Sequence, residues 1–294
     1  KTVLLNRMQV DAEAAGICTL RAEAPEGRSL PGILAPQLRQ SLLRLSRNAQ
    51  AADYARRALR ALAGFVRALK VKYRDIEVVL DVEPEVGLAD NGDLELDLQQ
   101  LLEVVGEAAA RASTAVVIFL DELQYIPEAD LAAMITALHR TSQLLLPVTM
   151  IGAGLPQLPG QLGRAKSYAE RLFEFSTLGP LPAPAARDAL VIPARELGVE
   201  FEEAALDRIL AETRGYPYFL QEWGKQSWDT AASSPIRLTD VQSASELIVA
   251  ALDEGFFRVR FDRLAPSEKR YLRAMAELGE GPHRSGDIAA AMKR

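Results

Sequence analysis

The sequence predicts an α/β fold: a parallel sheet with helices on both faces, followed by an all-helical part. Three observations point to it. Residues 115–120 (AVVIFL) are an unbroken apolar run, as a central parallel strand covered on both faces requires. A helical pattern at 131–141 and a second apolar run at 147–152 (PVTMIG) follow, giving the strand–helix–strand rhythm of a doubly wound sheet. After Pro180 the texture changes. Prolines at 180, 182 and 184 read as a stiff linker, and only helical patterns come after them.

The elements follow in chain order. Residues 2–14 read as a helix with an apolar face at Val3, Leu4, Met8 and Val10, ended by Gly16. Residues 17–24 alternate and read as a strand. Residues 39–73 are strongly helical, with a break near Asn48 and an inner stripe that includes Leu42, Leu59, Leu62 and Phe65. Residues 76–80 are a short apolar run read as an edge strand or hairpin, and 89–92 (ADNG) is a turn signal. An amphipathic helix is expected over 94–112. Beyond the prolines, helices are expected at 185–197, 202–213, 218–230 and 239–254, and a further helical unit from Phe257. No internal repeat is present.

Composition narrows the class. Hydrophobic residues at 49% and charged residues at 25% suit a globular protein with a sizeable core. The one cysteine, Cys18, excludes an internal disulfide, fits a reducing compartment and reads as a small core residue on its strand. A cytoplasmic location is therefore expected. No run approaches the ~18 apolar residues of a membrane span, so no membrane partner is expected. His139 and His283 stand far apart, which argues against a zinc site, and Glu83, Glu85, Asp90 and Asp93 lack the spacing of a calcium loop. The net charge of −6 argues against wholesale coating of nucleic acid. Charge is uneven, however: residues 39–74 hold ten Lys/Arg and one acid, and residues 75–107 hold eleven acids and no base. The favoured reading is that the two segments pack against each other.

Two short motifs carry chemistry. Lys1-Thr2, followed at once by a helix, is the back half of GxxxxGK[ST]. In such a loop the lysine reaches the β- and γ-phosphates, the hydroxyl binds Mg²⁺, and the helix N-terminus adds anion affinity. The preceding glycines lie outside the sequence, and the chain is expected to be trimmed at both ends. The second motif is 116–122 (VVIFLDE), an apolar strand ending in two carboxylates. Such a strand would hold Asp121 at its C-terminal edge beside Mg²⁺ and aim Glu122 at the space where water attacks a γ-phosphate.

Together with 214–220 (RGYPYFL), these residues resemble an AAA+ P-loop ATPase near the replication-initiator and STAND branches. The resemblance covers nearly the whole chain. It implies a P-loop NTPase α/β domain over 1–180, an all-α lid over 181–255 and the start of a winged-helix domain over 256–294. It makes Lys1 and Thr2 the Walker A residues, Asp121 the Walker B Mg²⁺ ligand and Glu122 the catalytic base. Gly215 and Pro217 become the lid motif, with Pro217 against adenine. Arg171 takes the place of an arginine finger reaching a neighbouring subunit, with Arg164 and Lys166 as rivals. The implied cofactors are ATP/ADP and Mg²⁺, the implied activity is slow ATP hydrolysis driving a conformational switch, and homo-oligomerisation is the implied assembly.

The sequence departs from that pattern in two places. Gly154 stands where the strand over 148–152 should be followed by a polar, water-orienting residue, and Gln124 or Tyr125 could substitute. No arginine fills the lid's second sensor position; Arg214 is only adjacent. Residues 256–294 carry nine Lys/Arg against five acids. Their helix–turn–helix pattern, with Leu272, Met275, Leu278, Ile288 and Met292 as expected core, suits a DNA partner or a protein partner equally, any reading helix falling around 286–294. Two other functions fit the same residues. One is a non-catalytic, nucleotide-bound DNA-binding regulator. The other is a STAND scaffold held closed by ADP.

Overall fold

The computed structural model describes residues 1–293. It consists of two compact units, Lys1–Thr177 and Leu178–Arg294. The first is mixed α/β: a three-stranded parallel sheet flanked by helices on both faces. Its elements are α1 (Thr2–Ala14), β1 (Cys18–Glu23), α2 (Leu30–Leu45), α3 (Ala52–Leu69), α4 (Leu94–Arg111), β2 (Val116–Asp121), α5 (Glu128–Gln143), β3 (Val148–Gly152), α6 (Leu158–Ala165) and α7 (Ala169–Leu172). The sheet order is β1-β2-β3, and every residue of β2 is buried.

Alternation along β2 divides the layers. Val116, Ile118 and Leu120 join the large core with Leu34, Leu62 and Leu101 from α2, α3 and α4. Val117 and Phe119 point the other way and pack with Leu5 of α1. One face thus carries several helices and the other carries α1. This corrects the expected apolar face of α1. Val3, Leu4, Met8 and Val10 are exposed, and Leu5, with Ala12 beside it, makes the contact with the sheet.

Two further expectations are corrected in this unit. Helix α2 starts at Leu30, well before residue 39. Ser29 caps it by accepting from the Gly32 N–H at 3.1 Å, and Pro31 sits in the first turn, where a missing N–H costs nothing. Pro36, inside the helix, cannot donate to the Gly32 carbonyl, and Arg28 Nη2 donates to that oxygen instead at 3.3 Å. Residues 76–80 form no strand. Ile76 is buried and Val78 and Leu80 pack on the core, but this segment has no ladder partner. The charged segments meet as the favoured reading expects: Arg57 pairs with Glu85 and Glu107, and Arg60 with Glu85.

The second unit is helical: α8 (Ala183–Glu196), α9 (Glu203–Thr213), α10 (Pro217–Thr230), α11 (Leu238–Leu252), a π-helical turn (Asp253–Arg258), α12 (Val259–Asp262), α13 (Pro266–Glu277) and α14 (Ser285–Ala291). Its core includes Leu206, Ile209, Leu220, Trp223, Val241 and Ile248. Pro184 belongs to the first turn of α8 and not to the linker. Of the aromatics at and within α10, Trp223 is buried and Phe219 packs on this core, while Tyr216 and Trp228 are exposed. No strand appears among the described residues here; a single parallel bridge joins Phe201 and Ile236.

Helix α11, the π turn and α12 run on without a break from 238 to 262, across the expected boundary at 255/256. Of the residues expected as core of the last segment, Ile288 is buried and Met275 half-buried, whereas Leu272, Leu278 and Met292 are exposed; Ala274 is also buried. Arg294, the last residue of the expected reading helix, lies outside the described residues. No described helix is long and apolar enough to cross a membrane.

Candidate functional site

The C-terminal ends of the three parallel strands lie level, with Glu23 opposite Asp121 and Leu120 opposite Gly152. Loops leaving that edge of an open α/β sheet form the usual crevice for ligands. Helix α1 is held over it because Leu5 packs on Val117 and Phe119. The first residues of the chain therefore reach the end of β2.

There Thr2 Oγ1 donates to Asp121 Oδ2 at 2.6 Å. The other carboxylate oxygen, Oδ1, accepts from the Glu122 backbone N–H at 2.9 Å. Asp121 is only 3% exposed, so both of its oxygens depend on these partners. Lys1 Nζ donates to the Gly154 carbonyl oxygen at 2.7 Å, on the loop that follows β3. The N-terminus of α1 has no side-chain cap and no acid in its first turn. Its free amides keep their affinity for an anion.

Glu122 departs from β2 in the left-handed region at φ 55°, an uncommon conformation for a residue with a Cβ. It is held by neighbours on both strands. Leu123 N donates to the Ala153 carbonyl at 3.0 Å, and Ala153 N donates to the Leu120 carbonyl at 2.8 Å. The Gln124 side-chain amide donates to the Glu122 carboxylate, and its oxygen accepts from Leu155 N at 3.1 Å. Lys1, Thr2, Asp121 and Glu122 are thus brought into one hydrogen-bonded neighbourhood.

Among the described residues no group of three or more His, Cys, Asp or Glu could hold a metal ion by itself. One buried carboxylate with one hydroxyl beside it is instead a fitting donor set for Mg²⁺. That ion keeps waters and shares its coordination between one or two carboxylates and a substrate's phosphates. The residues present therefore fit the ion the sequence motif calls for.

The other expected site residues are not part of this group. Arg171 is on the short helix α7, exposed, and makes no ion pair among the described residues. Its rivals are engaged elsewhere: Arg164 with Glu128 at 3.6 Å and Lys166 with Glu95 at 2.8 Å. Gly215 and Pro217 belong to the second unit. Arg214 ends α9 in the left-handed region, Gly215 follows at φ 74°, and Pro217 opens α10. The Gly215 carbonyl accepts from Leu181 N at 2.8 Å, and a Cβ on Gly215 would run into the Leu181 carbonyl oxygen. Tyr125, offered as a substitute for the missing polar residue, is exposed and its phenol makes no hydrogen bond among the described residues. The partners that sequence reasoning missed are backbone groups, the Gly154 carbonyl and the Leu155 amide, which leave no mark on residue type.

A family model described as a domain of unknown function (DUF8462) matches residues 254–294. No curated protein matches the chain. Among solved structures, the chain is similar to the Thermotoga maritima RuvB Holliday junction branch migration motor at 18% identity, covering 71% of this chain and 72% of that one, with a TM-score of 0.42. One single-substitution mutant of T. maritima RuvB matches at 19% identity over 71% of this chain and 72% of that one, with a TM-score of 0.41. Another matches at 18% over 79% and 81%, with a TM-score of 0.42.

Proposed function

We propose that this chain binds Mg²⁺-ATP at the C-terminal edge of its sheet and hydrolyses it slowly, as an AAA+/STAND-type P-loop ATPase whose turnover drives a conformational switch. The observation that carries this reading is the 2.6 Å contact between Thr2 Oγ1 and Asp121 Oδ2. It joins the hydroxyl of one nucleotide-binding motif to the carboxylate of the other.

Each residue then has a task that its chemistry fits. Lys1 exchanges the Gly154 carbonyl for phosphate oxygens and neutralises them as a point charge. Thr2 and Asp121 hold Mg²⁺, which when bound would offset charge on the phosphates. Glu122 orients and polarises the attacking water as general base. Arg171, exposed on α7, is proposed to reach the nucleotide of a neighbouring copy in a homo-oligomer. Gly215 and Pro217 are proposed as the lid motif that meets adenine. The helices beyond residue 255 are proposed as a winged-helix-like unit that contacts DNA or a protein. We place the protein in the cytoplasm.

Glu122→Gln tests the reading. The variant keeps Mg²⁺-dependent binding of a fluorescent ATP analogue and loses phosphate release. Equal turnover in the variant and the parent would remove Glu122 from its role, and absence of nucleotide binding in both would remove the reading itself.

A further inference from the structure

We propose that Gln124 is a positioning residue for Glu122. It supplies from the β2 side the polar group that Gly154, after β3, cannot offer. The proposal rests on the ATPase reading of the site.

Three observations converge on Gln124. Its amide has two ends and both are engaged: Nε2 donates to the Glu122 carboxylate, and Oε1 accepts from Leu155 N at 3.1 Å. These two bonds tie the end of β2 to the loop after β3. That same loop offers the Gly154 carbonyl to Lys1 Nζ at 2.7 Å. A chain of contacts therefore runs from the ammonium group, through residues 154 and 155, to the Glu122 carboxylate. Gly154 stands where a side chain has little room. A Cβ built there would meet Leu158 Cδ2 at 2.9 Å and Gln124 Oε1 at 3.2 Å. The Gln124 amide thus occupies room that a polar side chain at 154 would need.

The consequence follows from Glu122's backbone. At φ 55° this residue stands in a conformation that its neighbours must enforce. Its side chain is half-buried, and the only side-chain partner recorded for its carboxylate among the described residues is Gln124. A base displaced by about 1 Å from a productive geometry loses on the order of a hundredfold in rate. Gln124 is the group that prevents such displacement. It fixes one carboxylate oxygen and leaves the other free for water. When phosphate draws Lys1 away from Gly154, the loop bearing Leu155 is released from one of its restraints. The Gln124 bond then keeps the loop and Glu122 in register.

Gln124→Met and Gln124→Glu separate the two ends of the amide, with Glu122→Gln as reference, all in the full chain. The first readout is hydrogen exchange at the Leu155 amide without nucleotide. Protection persists in Gln124→Glu, where a carboxylate oxygen still accepts, and in Glu122→Gln. In Gln124→Met it falls by about tenfold or more, as for an opened hydrogen bond. The second readout is steady-state hydrolysis. Both Gln124 variants lose about tenfold to a hundredfold in kcat, with KM for ATP and the thermal midpoint held close to the parent's, the pattern of an interaction that serves the reacting geometry alone. Unchanged Leu155 exchange in Gln124→Met overturns the proposal. So does parental kcat in Gln124→Glu while Glu122→Gln is inactive. If the parent itself neither binds nor hydrolyses ATP, both this proposal and the ATPase reading fall together.

Discussion

Thr2 Oγ1 and Asp121 Oδ2 lie 2.6 Å apart although 119 positions separate them in the chain. Packing produces this closeness. Leu5 seats α1 on Val117 and Phe119, and the same strand delivers Asp121 one step past Leu120. Removing the hydroxyl leaves a buried carboxylate short of one partner. Thr2→Ala should therefore weaken Mg²⁺-dependent binding of an ATP analogue by about tenfold or more, the scale of one lost charge-assisted hydrogen bond. Fluorescence titration with Mg²⁺ and with EDTA measures it, and equal affinities in parent and variant would contradict it.

Asp130, on α5, is 3% exposed and ties that helix to the start of α2 and to the turn after α3. Its Oδ2 accepts from Leu30 N at 3.0 Å, at the start of α2, and its Oδ1 accepts from the Tyr73 phenol at 3.1 Å. Burial, followed by the charge of Asp130, pushes the Tyr73 phenol well above its usual range. Asp130→Ala strands both donors and should cost about 2–4 kcal/mol of stability. A urea denaturation midpoint near that of the parent would refute the assignment.

Asp75 supplies an acid-sensitive link. Burial acts to raise its pKa, but the Ser29 amide and hydroxyl, then its own backbone N–H and the Arg28 guanidinium, outweigh burial and hold the carboxyl below its usual value. The contacts are Ser29 N at 2.9 Å and Ser29 Oγ at 2.8 Å. A folded-state pKa below the unfolded value of ~3.9 stabilises the fold above that pH, and the contribution is lost as pH falls through the folded value. Denaturation curves from pH 6 down to pH 2.5 should show a steeper acid loss for the parent than for Asp75→Asn. Parallel curves would count against the link.

Gly215 combines a φ of 74° with close approach to the Leu181 carbonyl. Gly215→Ala therefore meets both backbone strain and a steric clash, and should destabilise the second unit by roughly 2 kcal/mol or more. Limited proteolysis within residues 178–293 should accelerate in the variant, and an unchanged digestion rate would argue against this.

The sequence is most legible where a pattern has one structural solution. Residues 115–120 could be read as a buried strand because a short unbroken apolar run suits a central parallel strand covered on both faces, and β2 is buried throughout. The meeting of Thr2 with Asp121 was legible from the motif pair: Lys1-Thr2 and the apolar strand ending in two carboxylates read as two parts of one nucleotide site. The sequence is least legible where tertiary contacts decide. Helix α2 hides its first turns behind Pro31 and Pro36, which look like breakers until Arg28 is seen donating to the Gly32 carbonyl. The run at 76–80 has strand composition without a strand partner. In α1 the exposed Val3, Leu4, Met8 and Val10 outnumber the one residue, Leu5, that is buried on the sheet, so periodicity picks the wrong face. In the site, the partner of Lys1 and the donor to the Gln124 side-chain oxygen are main-chain atoms, and a main chain is the same whatever residue stands there.

The π turn at Asp253–Arg258 lies inside one unbroken helical rod from 238 to 262. Because one residue advances an α-helix by about 100°, a wider turn delays everything downstream by a fraction of a rotation. It works like a slipped tooth between two cogs on one shaft. Val259 and Phe261 therefore face a direction that counting α-helical positions from Ile248 would not assign. Excising a single residue from that turn would re-aim the whole far end of the rod while leaving its composition almost untouched.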